Sequence, residues 1–195
     1  MGLLNIIKGA YPSLQQIDKT MPADTTNGVN IVRGSLMYIA SGKFVIGAAD
    51  ATCQGVADTT PGAYMYIALM DYGDLVAGMA GGVGQGVKGG LDHLGAAPSG
   101  PALTGLAISM PMEIETDQFD VLNPQWNPAV GEFVMCGPNG KFIKHTDGLT
   151  ALGQVTQATT TRWANDAIAV TGWRTGNKVN VIRIRTMYIP NMSVA

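Results

Sequence analysis

Glu113, Glu115 and Asp117 alternate with Ile114 and Thr116, which on a strand sets three carboxylates on one face. Two chemistries fit such a row. A hard cation such as Ca²⁺ takes several carboxylate oxygens, but same-face side chains on a strand diverge unless loops bring further ligands. Arg183 and Arg185 alternate around Ile184 in the same way. Opposite charges on neighbouring strands or subunits would set register or docking geometry, and this complementary-charge reading is preferred to a metal site. A solvated acidic edge that discourages stray strand pairing is the plainest reading of all.

The remaining reactive residue types are scattered. Gly84-Gln85-Gly86-Val87-Lys88-Gly89 spells GxGxxG, but that fingerprint holds pyrophosphate only between a parallel strand and a helix N-terminus. Gly90 to Gly95 is too short and too glycine-rich to be that helix. His93 follows Asp92, and Asp147 lies two positions past His145, yet no GxSxG elbow or activated thiol accompanies either. Trp126, Trp163 and Trp173 form no periodic stacking platform, and Asn123-Pro124-Gln125-Trp126-Asn127-Pro128 reads as a rigid turn that buries one indole. Cys53 and Cys136 lack CxxC spacing and read as buried thiols. No catalytic, cofactor-binding or metal-ligating residue is assigned, and an enzyme is not expected.

Composition points to association. Only 13% of the 195 residues are charged, about half the usual share, so much of the surface is expected to be covered by other chains. A net charge of −2, with only Arg174, Lys178, Arg183 and Arg185 clustered, argues against nucleic acid. No apolar run reaches membrane-spanning length, and the N-terminus lacks signal-peptide and myristoylation patterns.

The elements that must hold these residues are short strands. Val29 onward predicts strands over 31–39, 43–46, 63–69, 102–110, 112–119, 133–136, 141–144, 152–156, 167–172 and 178–188, with Gly, Pro and Asn punctuation. The stretch 63–69 is apolar on both parities and so should be buried on both faces. Pro111 suits a bulge or a strand that changes sheets. No window keeps a 3.6-residue period. The fold class is all-β, a compact β-barrel or sandwich of short antiparallel strands. Residues 1–30 read as an N-terminal arm, ordered when packed on something. The domain 31–195 carries a glycine-rich insertion at 71–100, too poor in side chains for its own core.

One pattern occurs twice. Gly34-Ser35-Leu36-Met37-Tyr38-Ile39 leads through Gly42-Lys43-Phe44-Val45, and Gly131-Glu132-Phe133-Val134-Met135-Cys136 leads through Gly140-Lys141-Phe142-Ile143. Each is a glycine, an apolar run, a turn, then Gly-Lys-Phe and a β-branched residue, which is a repeated hairpin. With the later phrase Leu152-Gly153-Gln154-Val155, over residues 29 to 69 and 120 to 189, the chain resembles the small β-barrel capsid decoration proteins of tailed bacteriophages, also called cement or head-stabilising proteins. The insertion at 71–100 departs from the simplest members.

The resemblance implies a virion protein, made in the host cytoplasm, that binds the outside of an icosahedral shell. Its partners would be the major capsid protein and further copies of itself, a trimer being favoured, with no catalytic residue to carry over. A capsid shell protein is a weaker alternative, since no long spine helix is expected. A glycan- or Ca²⁺-binding β module and a hydrolase relying on His93 or His145 are the others.

Overall fold

The structure is a computed structural model and describes residues 4–9, 18–23, 31–47, 65–69, 102–108, 111–122, 125–163, 178–190 and 192–193. The glycine-rich segment 71–100, with His93 and the GxGxxG run, lies outside these residues. So do Cys53, Trp173, Arg174 and the strand expected at 167–172.

Among the described residues there are eleven strands and no α-helix. They are β1 (Leu4–Gly9), β2 (Asp18–Pro22), β3 (Leu36–Ala40), β4 (Lys43–Ile46), β5 (Tyr66–Ala68), β6 (Ala102–Ala107), β7 (Met112–Thr116), β8 (Phe133–Cys136), β9 (Phe142–Lys144), β10 (Ala151–Trp163) and β11 (Lys178–Ile189). Two antiparallel sheets result, with order β1-β7-β11-β10-β8-β9 and β2-β6-β5-β3-β4. Neither closes into a barrel, so of the two expected architectures the sandwich is the one formed. Two stretches of the expected arm are strands, β1 at the edge of one sheet and β2 at the edge of the other. The chain crosses between sheets from β6 to β7, around Pro111, whose missing N–H suits it to the crossing rather than to a ladder.

The repeated hairpins are β3–β4 and β8–β9. Each begins at a turn whose third residue is a glycine at positive φ. Ser35 N–H donates to Val32 across Gly34 (φ 88°), and Glu132 N–H donates to Ala129 across Gly131 (φ 95°). This is the type II arrangement, which needs glycine there. At the tips, Ser41 and Gly42 both have positive φ, the geometry that matches hairpin twist. The second tip is one residue longer, yet Asn139 and Gly140 again have positive φ and the register survives. Ile39 faces Phe44 and Cys136 faces Phe142, each the fifth residue after its glycine.

The equivalence extends through five strands. Leu36 and Met37 face Ile67 and Tyr66, as Phe133 and Val134 face Gln154 and Gly153. Tyr66 faces Ala107 as Gly153 faces Thr186, and Ala68 faces Gly105 as Val155 faces Ile184. Thr20 faces Thr104 as Glu115 faces Arg183. Even the hydrogen bonds at the strand entrances recur, Gly34 N–H to Ala68 O and Gly131 N–H to Val155 O. The unit β2–β6 is therefore built again as β7–β11, and among the described residues β1 has no counterpart.

Two apolar clusters follow. Met37, Phe44, Tyr66, Ala68 and Leu103 fill one face of the first unit together with Ala23 and Ile31. The other cluster joins the units, drawing Leu36, Ile67 and Leu106 from the first and Ile114, Val134, Phe142, Val155, Ile182 and Ile184 from the second. All three β5 residues are buried, as their two-sided apolar pattern requires.

Candidate functional site

The acidic row expected on β7 forms in part. Glu113 and Glu115 sit on the strand, whereas Asp117 lies in the bend past its end, where its Oδ1 accepts a 2.7 Å hydrogen bond from Gln118. Ile114 between them points into the joint core and is fully buried. The alternation that buries Ile114 fixes both glutamates on the opposite face.

Charge complementarity accounts for that face. Arg183 and Arg185 of β11 stand directly opposite Glu115 and Glu113. Arg183 Nη2 lies 3.4 Å from Glu115 Oε2 and its Nη1 lies 4.0 Å from Glu113 Oε1. Arg162 of β10, which sequence spacing did not single out, is the closest cation. Its Nε and Nη2 donate to the two Glu115 oxygens at 3.0 and 3.2 Å in a bidentate fork. Thr156 Oγ1 donates to Glu113 at 3.0 Å.

The Glu115 side chain is only 3% exposed, and these partners supply the ion pairs that a buried carboxylate needs to offset its loss of water. Arg162 was not legible because β10 and β11 change register at several points between Ala151 and Thr160, so counting along the strand does not place it. The oxygens a cation would need are engaged by guanidinium groups, and among the described residues no cluster of His, Cys, Asp and Glu has metal-site geometry. The arrangement ties β7, β10 and β11 together. It is a structural clamp.

A second carboxylate shapes the loop between β7 and β8. Trp126 is buried and its indole N–H donates to Glu132 Oε2 at 2.7 Å, while Ala129 N–H donates to the same oxygen at 2.8 Å. Lys144 Nζ stands 3.2 Å from Glu132 Oε1. Burial pushes the Glu132 carboxyl up, but the hydrogen bonds from Trp126, Ala129 and Lys144, with the lysine's charge, outweigh it and hold the group below the ordinary glutamate range. The indole of Trp126 is buried, as expected. Leu122 and Val130, 82% and 67% exposed, are the apolar side chains this loop presents to solvent.

No catalytic arrangement assembles around His145. Its Nε2 lies 3.1 Å from the Leu149 carbonyl, and Nδ1 has no hydrogen-bond partner among the described residues, so Asp147 does not orient the ring. Cys136 is buried, its sulfur 3.5 Å from the Gly137 carbonyl oxygen. No helix among the described residues is long and apolar enough to cross a membrane.

Comparison with known proteins finds no matching family model, no matching curated protein and no matching solved structure.

Proposed function

We propose that this chain is a structural virion protein that binds the outer surface of an icosahedral tailed-phage capsid and cements neighbouring capsid subunits. The observation that carries the reading is the duplication. One chain presents the same five-stranded unit twice with the same ladder register, and two like units suit a lattice of repeated subunits. Two modest contacts made by one rigid body bind far more tightly than either alone. Among the described residues, the buried carboxylates Glu115 and Glu132 are engaged in internal pairing. The hairpin pattern shared with decoration proteins supports the same reading. The partners are the major capsid protein and further copies of this chain, with the protein on the capsid exterior.

The test is co-sedimentation of the purified protein with expanded shells that lack it, followed by cryo-electron microscopy. Extra density at repeated positions and shells that better survive heating are expected. Shells that sediment without the protein at saturating concentration overturn the reading.

A further inference from the structure

Each unit carries the same face, and the chain packs only one of the two against itself. In the first unit the row Leu36, Ile67, Leu106 crosses that face, and all three residues join the core shared with the second unit. The equivalent row of the second unit is Phe133, Gln154 and Arg185. Phe133 and Gln154 are half-buried there and Arg185 is exposed. One face of the frame is thus an interface already formed, and its copy is turned to solvent.

The chemistry of the open row suits a charged partner. Aromatic residues and arginine are enriched at interfaces between separate proteins, whereas the leucines and isoleucine of the first row suit a permanent core. Gln154 Nε2 donates to the Gly131 carbonyl at 3.0 Å, which fixes the amide beside Phe133, and Val130, just before that glycine, is 67% exposed. Arg185 stands opposite Glu113, but that carboxylate accepts from Thr156 at 3.0 Å and has Arg183 at 4.0 Å. Arg162 and Arg183 both engage Glu115. The Arg185 guanidinium has no ion pair or hydrogen bond among the described residues, so its donors face water.

We propose that Phe133, Gln154 and Arg185 form the docking face of the second unit and take an acidic segment of a capsid subunit. A carboxylate of that segment pairs with Arg185, the match for a guanidinium fork, and an apolar neighbour packs on Phe133. Nucleic acid fits this face poorly, because Glu113 and Glu115 share it and oppose a run of phosphates. The identity of the partner rests on the proposed function; the face and the charge it recognises do not.

Two measurements test this. The first is co-sedimentation of expanded shells with the native chain, Arg185→Gln and Lys43→Gln, the last removing the same charge from the first unit. Arg185→Gln is expected to bind about tenfold more weakly and Lys43→Gln to bind as the native chain does. Equal binding by native and Arg185→Gln chains, or equal weakening by both variants, overturns the inference and leaves the proposed function standing. The second follows backbone amide chemical shifts of the native chain as a glutamate-rich peptide is added, then a lysine-rich peptide of the same length. Shifts at Phe133, Gln154 and Arg185 with the acidic peptide alone are expected. Shifts confined to other residues, or produced by both peptides, overturn the inference. So do shifts on this row that appear with an oligonucleotide or with rising protein concentration instead, which would assign the face to nucleic acid or to a second copy. Should Arg185→Gln unfold, the peptide titration of the native chain decides alone. A native chain that shows the expected shifts yet fails to bind shells would overturn the proposed function only.

Discussion

Across the first unit one row of neighbouring residues reads Leu36, Ile67, Leu106, and across the second the same row reads Phe133, Gln154, Arg185. The first row is at most 2% exposed, whereas in the second Phe133 and Gln154 are half-buried and Arg185 is exposed. The backbone is the same; the burial is opposite. The first unit is apolar on both faces because it lies between its own cluster and the joint core, and the second turns one face to water. Duplication thus supplied two identical frames, and side-chain polarity decided which frame went inside.

The halves also solve one packing problem in opposite ways. Tyr66 lies diagonally across from Gly105, where an added Cβ would come within 3.1 Å of the tyrosine Cβ and 2.7 Å of Phe44 Cζ. At the equivalent diagonal the glycine is Gly153 and the bulky residue is Ile184. Large and small have changed places while the pair still fills the space. Phe44 makes an edge-to-face contact with Tyr66, centroids 5.3 Å apart, that Phe142 cannot make with Gly153.

The largest expected effect breaks the Glu115 clamp of the second unit. Glu115→Thr leaves partly buried Arg183 without its main partner and should destabilise by about 3 kcal/mol. Thr20 and Thr104 occupy these positions in the first unit, so Glu115→Thr with Arg183→Thr should cost clearly less than the single change. Urea unfolding of the double-mutant cycle measures the difference, and a double variant as unstable as the sum of the singles would refute the equivalence.

Next in size is the contrast between the two hairpin tips. A Cβ on Gly140 would lie 2.5 Å from the Leu36 carbonyl oxygen, because the second tip docks beneath the first hairpin. Gly140 N–H donates to Gly47 O at 2.7 Å there. A Cβ on Gly42 would meet nothing. Gly140→Ala should therefore cost about 3 kcal/mol, adding overpacking to left-handed strain, and Gly42→Ala about 1 kcal/mol from strain alone. Equal midpoints in chemical denaturation would mean the tips do not differ as described.

The diagonal glycine comes third. Gly105→Ala should cost about 2 kcal/mol and be partly relieved by Phe44→Leu, since the Phe44 ring is the nearest obstacle. Thermal melts of the three variants show whether relief occurs.

The smallest effect concerns Glu132, whose place in the first unit is taken by Ser35, one residue past the turn glycine in each case. Its carboxyl is held below the ordinary range, so its stabilisation is present above the unfolded value and fades as pH falls through the folded one. Glu132→Gln should cost less than about 1 kcal/mol at neutral pH and flatten the acid limb of the melting curve. An unchanged acid limb would remove Glu132 from the account.

Much of this was written locally. Glycines that demand positive φ, Asn139 and Ser41 beside them, and the alternation around Phe44 and Phe142 determine two hairpins and an all-β chain by short-range sterics alone. The two-sided apolar pattern of Tyr66 to Ala68 announced burial for the same reason. The acidic row and its arginine partners were legible as alternation, and Arg183 met Glu115 as expected. Beyond the hairpins the duplication was invisible, because Tyr66 stands where Gly153 does and Thr104 where Arg183 does. Register is carried by backbone hydrogen bonds that any side chain permits. Which sheet took β1, which face went inward, how Arg162 reached Glu115 and where Gly140 met Leu36 were decided by tertiary packing. Each joins residues distant in sequence, and their proximity depends on the folded chain as a whole.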